Sequence, residues 1–262
     1  VLDTLQLDVG KPVNRWHPLN GRLTHWWKNL PGFRGGEMVP DLMRQNNGTW
    51  STMAIAPRWR DGNKPRPGGI WGSWEGDGIN DRVSLTSVNI ASTCTLAFWV
   101  KFDTAPNTVI LGSSSPEYFP YIDNTNVYIR TNGQSGLSVA HGGINLDQWY
   151  HIAICQSPTD GYTLYVDGVS QGNASGTRTP PVDSLMAYNN DSFELNGELD
   201  DVRLWNGRWL TAGEIKQLYR LSQENYEPTL NWVTLPLTLP PVASGNDGAA
   251  LYHHMQNLGV YA

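Results

Sequence analysis

The sequence predicts an all-β protein built as a two-sheet antiparallel sandwich, and three observations predict it. The first is composition. Gly 27 and Pro 17, with charged residues at only 16%, suit many short strands joined by turns. The second is period-two alternation. "TLAFWVKF" (95–102) puts Leu96, Phe98, Val100 and Phe102 on one face, and "WYHIAIC" (149–155) does the same with Tyr150, Ile152 and Ile154. The third is turn chemistry. In "YTLYVDGVSQG" (162–172), Asp167-Gly168 between β-formers signals a two-residue type I′ hairpin. A length of 262 residues accommodates such a sandwich as one domain.

The elements follow in chain order. Residues 1–18 read as an extended arm, with Leu2, Leu5 and Leu7 in a strand-like start that Gly10, Pro12 and Pro18 interrupt. Residues 19–228 carry the sandwich. Up to residue 70 they are rich in Gly, Asn, Pro and Trp, with short apolar pieces only. Clear strand patterning begins at Ile79. "TVILG" (108–112) and "NVYIR" (126–130) are short strands between turns, and "ELDDVRLW" (198–205) is a late one. Strict alternation there places Glu198 and Asp200 with Val202 and Leu204, and Leu199, Asp201, Arg203 and Trp205 opposite. One short helix follows. Thr211 and Glu214 fit a capping box, and Ile215, Leu218 and Tyr219 recur at helical spacing. Residues 229–262 form an apolar, proline-interrupted tail with Leu235, Leu237, Leu239, Leu251 and Tyr252 as its greasy positions.

Composition also excludes function classes. A net charge of −6 opposes phosphate backbones, so no nucleic-acid partner is expected. No run reaches the ~18 apolar residues of a membrane span. The opening residues show no basic n-region or apolar h-region, which makes synthesis in the cytoplasm the expectation. Cys94 and Cys155 lie inside apolar runs and read as buried thiols, with a bridge between neighbouring strands left open. The six histidines lack zinc-ligand spacing, and no nucleophile elbow, Walker or Rossmann glycine pattern occurs.

The order of the pieces resembles the concanavalin A-like jelly rolls of the laminin G and pentraxin type. "LTHWW…PDLMRQNNGTW" (23–50) looks like that family's opening. "WEGDGINDRVSL" (74–85) is similar to its Phe-Asp-Gly strand, and "TLAFWVKF", "WYHIAI", "YTLYVDGV" and "GELDDVRLWNGRWLTAGEIKQLY" follow in family order. The resemblance covers residues 19–222. It implies a jelly roll with a short helix near its end, a fold that hosts lectins, adhesion domains, some glycosidases and virion proteins.

The clustered acids of residues 198–201 then need a role. Related laminarinase-type enzymes resemble Glu-x-Asp-x-x-Glu, but here the last acid is replaced by Arg203, which cannot donate a proton near neutrality. No catalytic residue is therefore expected. The resemblance also implies a structural calcium joining the early Asp loop to the late Asp-Asp strand. The matching positions are Asp41 and Asp200, with carbonyls near Asn46, although "MRQNNG" departs from the family's loop. The alternative is an Asp201–Arg203 pair with Asp200 accepting backbone N–H groups. No other cofactor is expected.

Two functions remain. The first is a non-enzymatic structural subunit that decorates or cements a larger particle, most plausibly a bacteriophage virion. Its partners would be copies of itself and a capsid protein, gripped through the arms at Leu2, Leu5, Leu7, Leu235, Leu237, Leu239, Leu251 and Tyr252. It would be made in the host cytoplasm and sit on the virion surface. The second is an extracellular or cell-surface module that binds glycans through loops at one end of the sandwich. Tyr118, Phe119 and Tyr121 in "SSSPEYFPYIDNTN" (113–126) are its candidate stacking rings, with Trp71 and Trp74 weighed beside them.

Overall fold

The computed structural model describes residues 17–28, 38–51, 73–113, 117–188 and 192–223. The arm positions from Leu2 to Leu7 and from Leu235 to Tyr252, and Trp71, lie outside the described residues.

Among the described residues two antiparallel sheets face each other. The seven-stranded sheet has β16 (Asn196–Asn206), β6 (Cys94–Phe102), β12 (Trp149–Ser157), β13 (Gly161–Val166) and β14 (Val169–Ala174) side by side. β1 (His25–Trp27) and β4 (Trp74–Asp77) share the other edge of β16. The nine-stranded sheet runs from β11 (Leu137–Ala140) through β10 (Asn126–Arg130), β9 (Tyr118–Ile122) and β8 (Leu111–Gly112). It continues through β15 (Pro181–Leu185), β5 (Arg82–Asn89) and β3 (Gly48–Ser51) to β2 (Met38–Val39), and β7 (Thr108–Val109) also pairs with β9. No helix among the described residues is long and apolar enough to cross a membrane.

The alternation read from the sequence builds the layer between the sheets. Leu96, Phe98, Val100 and Phe102 of β6 and Tyr150, Ile152 and Ile154 of β12 all lie in the central core. Each fully buried side chain of this kind contributes about 1.5–3 kcal/mol. The Asp167-Gly168 turn has φ of 50 and 74 and closes the β13–β14 pair, with Val166 opposite Val169. A left-handed Asp-Gly pair is what a type I′ hairpin needs.

A second apolar cluster lies on the outer face of the seven-stranded sheet. Helix α1 (Ala212–Gln223) covers it, placing Ile215 and Leu218 against Ala97, Cys155 and Trp205. Its capping box is formed: the Thr211 N–H donates to Glu214 Oε2 at 2.8 Å, and the Glu214 N–H donates to Thr211 Oγ1 at 3.3 Å. Cys94 belongs to the inner core and Cys155 to this outer cluster, so the two thiols occupy opposite faces of one sheet and are unbridged. Burial pushes both thiols up, Cys155 to about 12, which keeps them protonated.

β16 departs from strict alternation. Its pairing with β6 shifts register between Asp200 and Arg203, and Asp201 has φ of 56. Such a bulge adds a residue and reverses the side-chain phase. Leu199 therefore joins Val202 and Leu204 in the inner core, while Trp205 packs in the outer cluster. The expected grouping of Glu198 and Asp200 with Val202 and Leu204 is corrected: the phase reversal puts both acids on the face away from the core.

Candidate functional site

On the outer face of the seven-stranded sheet, the clustered acids are buried and held. Glu198 takes a 2.6 Å ion pair from Lys101 Nζ and a hydrogen bond from the Ser73 hydroxyl. Asp200 is fully buried opposite Trp99. Asp201 meets the Arg203 guanidinium side-on, Nε to Oδ1 at 3.0 Å and Nη2 to Oδ2 at 2.9 Å. Trp26 locks this fork, donating its indole N–H to Asp201 Oδ1 at 2.6 Å while the guanidinium sits 4.2 Å from its ring centre. The Asp201–Arg203 pair is thus formed, and it is buried, with the two residues at 3% and 7% exposure.

Asp41 organises the neighbouring loop. Its Oδ1 accepts the Trp26 and Met43 N–H groups at 2.8 and 2.9 Å. Its Oδ2 accepts those of Gln45 and Asn46 at 3.1 and 3.0 Å and lies 3.1 Å from His25 Nδ1. Burial pushes this carboxyl up, but the His25 contact and the Trp26 and Met43 N–H bonds outweigh it and hold it below its ordinary value. A carboxylate with about four lone-pair sites, all met by N–H donors, has none left for a cation. Among the described residues no three His, Cys, Asp or Glu side chains gather around one point. Asp41 thus spends its oxygens on the loop's N–H groups and not on calcium. Trp26 makes the join instead, through its backbone to Asp41 and its indole to Asp201.

The outer face of the nine-stranded sheet is different in kind. The segment anticipated as a loop rim forms β9. Its pairing with β10 shifts register, so Phe119 and Ile122 both enter the core; Phe119 has no exposed surface and no ring face to offer, and that expectation is corrected. Tyr118 and Tyr121 point outward, Tyr118 almost covered and Tyr121 half-buried. Trp74 is also buried and offers no stacking face.

Sequence reasoning missed two further rings on this face. Tyr128 of β10 stands opposite Tyr121, with ring centres 5.6 Å apart, and Phe193 meets Tyr121 edge-on at 5.4 Å. Tyr118 and Tyr188 sit behind them at 5.6 Å from Tyr121 and 5.5 Å from Phe193. Phe193 is 41% exposed and has φ of 57. That conformation is an outlier for a bulky side chain and persists only where the surroundings impose it. Two donors pin its carbonyl, the Val109 N–H at 2.9 Å and the Thr108 hydroxyl at 3.0 Å. The alternation of "NVYIR" gave the signal for Tyr128, since Val127 and Ile129 claim the core face.

Polar groups rim the rings. Tyr121 donates its hydroxyl to Asn107 Oδ1 at 2.7 Å, and Asn126 donates to the Tyr128 oxygen at 3.2 Å. Asp123 accepts the Thr125 and Asn126 N–H groups at 2.8 and 2.7 Å. Burial first, then the Asp123 charge, pushes the Tyr121 phenol up. Burial and the Asp123 hydrogen bond do the same for Tyr128, so both remain donors at neutral pH.

A two-sheet antiparallel sandwich with one helix capping one outer face defines a lectin-like jelly roll. The chain belongs to the Concanavalin A-like lectin/glucanases superfamily, whose sequence profile matches residues 77–216, more than half of its length. Comparison with curated proteins gave no match. Among solved structures it is similar to domain 4 of AbnA, an extracellular arabinanase from Geobacillus stearothermophilus solved in complex with arabinotriose. The identity is 17% and the TM-score 0.55, covering 75% of this chain and 98% of that domain. It is also similar to the Trypanosoma rangeli sialidase in complex with the inhibitor DANA, at 15% identity and a TM-score of 0.51 over 75% of this chain. The chain spans about a third, 32%, of that sialidase's length. At these identities the likeness is one of fold.

Proposed function

We propose that this protein is a carbohydrate-binding module without catalysis of its own, and that the outer face of the nine-stranded sheet is its binding face. One observation carries the reading: Tyr121, Tyr128 and Phe193 form a ridge of partly exposed rings with hydrogen-bonding groups along its edge. A sugar ring has an apolar C–H face and a polar rim. Flat aromatic faces beside amide, carboxylate and phenol groups match both at once. Membership of a lectin and glucanase superfamily supports this reading. So does a fold shared with an arabinanase domain solved with a sugar bound.

The reading of binding without hydrolysis rests on the β16 acids. Glu198 is committed to Lys101 and Asp201 to Arg203, and Arg203 stands where a laminarinase-type acid would stand. The virion-coating reading depends on arms outside the described residues, and no described residue favours it over glycan binding. Isothermal titration of the purified protein against neutral oligosaccharides tests the proposal. Binding by the native protein, lost about tenfold or more in Tyr121→Ala with the melting curve intact, is the expected result. Undiminished binding in that variant would move the site elsewhere.

A further inference from the structure

A cleft of about 280 Å³ opens beside the ridge. Three separate segments wall it: Gly78 in the β4–β5 turn, residues 102 and 104–108 from the end of β6 to the start of β7, and residues 193, 194 and 196 at the start of β16. Backbone bonds tie these segments together. The Gly78 N–H donates to Leu195 at 3.1 Å, the Asp103 N–H to Asn196 at 3.0 Å, and the Val109 N–H to Phe193 at 2.9 Å. Gly78 itself has φ of 75, and a Cβ there would fall 2.8 Å from that of Asn196. The walls are thus fixed before any ligand arrives, which lowers the ordering cost of binding.

Its chemistry is specific. Thr104, Asn107, Thr108 and Asn196 bring hydroxyl and amide groups to the lining, Phe193 brings a ring, and Glu194 brings the one ionisable group. No lining residue is a cation. Lys101, just before the loop, is engaged by Glu198 at 2.6 Å and Asp103 at 3.2 Å. The cleft is also continuous with the ridge. Asn107 lines it and accepts the Tyr121 hydroxyl, and Phe193 lines it and touches the Tyr121 ring.

We propose that this cleft is a second sugar subsite. It takes one unit of a neutral oligosaccharide whose neighbouring units lie over Tyr121 and Tyr128. The inference rests on the glycan-binding reading and deepens it. The volume is near the lower end of small-ligand sites and suits one sugar ring, not a chain. Hydroxyl and amide groups satisfy the hydroxyls of a neutral sugar.

The test uses the full chain and three probe sets: neutral xylo-, manno- and arabino-oligosaccharides, each of two to five units. Ala105→Trp, on the exposed lip, fills the cleft and is measured beside the native protein. Melting curves confirm that each is folded. Native affinity is expected to rise about tenfold between the disaccharide and the trisaccharide or tetrasaccharide. Ala105→Trp loses that increment and keeps disaccharide affinity. Disaccharide and longer probes binding alike, or a length dependence untouched by Ala105→Trp, overturns the second subsite while the ridge stands. Absence of binding to every probe, with no change in Tyr121→Ala, brings down the ridge and the cleft together.

Discussion

The two outer faces of this sandwich are made by the same device and end in opposite states. Each is the reverse side of a sheet whose inner side is core. On the seven-stranded sheet, α1 together with Leu19, Leu23 and Met43 closes over Ala97, Ala153, Cys155 and Trp205. On the nine-stranded sheet around β9 and β10, the rings of Tyr121, Tyr128 and Phe193 keep exposed surface. A polar cluster under a cover must satisfy itself, because burial makes an unpaired charge costly. A ring cluster left open has surface that the protein's own stability does not use. The conspicuous acids of residues 198–201 are engaged by the fold's own side chains, and the partly exposed rings of Tyr121, Tyr128 and Phe193 are the better candidates for a binding face.

The sharpest way to break this contrast is at the covered fork. Arg203→Ala would strip the guanidinium from a charged, buried Asp201 and leave the Trp26 indole bond in place. Removing one partner of a buried pair costs about 3–5 kcal/mol. The expected outcome is a large drop in the denaturant midpoint at neutral pH, partly recovered by adding Asp201→Asn. A change below about 1 kcal/mol would place the fork in effectively aqueous surroundings.

Asp41 gives the next largest effect, and a pH signature. Its folded pKa lies below the ~3.9 of an unfolded aspartate, so the stabilisation is complete above that unfolded value. It is lost as pH falls through the lower, folded value, because the proton then binds the unfolded chain first. Asp41→Asn should cost about 1–3 kcal/mol at neutral pH and flatten the acid limb of the stability curve. Calorimetry across the acid range checks this. Added calcium should leave the native melting temperature unchanged, since the Asp41 oxygens are already met by N–H donors.

Thr211→Ala, at the start of the covering helix, is smaller. It removes the hydroxyl that accepts the Glu214 N–H and should lower stability by about 1 kcal/mol in chemical denaturation. Titration against the glycan probes should be unaffected, because α1 lies over the opposite sheet from the ridge.

The helix cap, the inward faces of β6 and β12 and the Asp-Gly hairpin were legible because each is a local rule satisfied by adjacent residues. The facing of β16 was not. Period-two reading assumes an unbroken strand, and the bulge sits at Asp201, which carries no glycine to mark its positive φ. The Asp41 knot was half legible. An early Asp meeting the late Asp-Asp strand was anticipated, but Trp26 as the join was not, because that hydrogen bond spans 175 positions. Tyr121 was found as an aromatic in a turn-rich stretch. Phe119 was misplaced because that stretch is a strand, in which successive residues face opposite ways, Tyr118 outward and Phe119 inward. Phe193 had only a weak signal, one bulky apolar residue in a polar loop, and its outward pose depends on a carbonyl held by Thr108 and Val109 from another strand.

The smallest expected effect on stability belongs to Tyr128→Ala, and it isolates the open face most cleanly. Tyr121 lies among Tyr118, Tyr128 and Phe193, so truncating it disturbs several ring contacts together. Tyr128 is the end of the ridge, half-buried, with Tyr121 as its ring neighbour and Asn126 and Asp123 at its hydroxyl. Its loss should change folding free energy by no more than about 0.5 kcal/mol, the usual range for a surface substitution. If the ridge binds sugar, affinity for the longer neutral probes should still fall several-fold, read by titration at fixed temperature. A fall in stability matching the fall in binding would mean that Tyr128 serves the fold, and the open face would then be a less tightly packed version of the covered one.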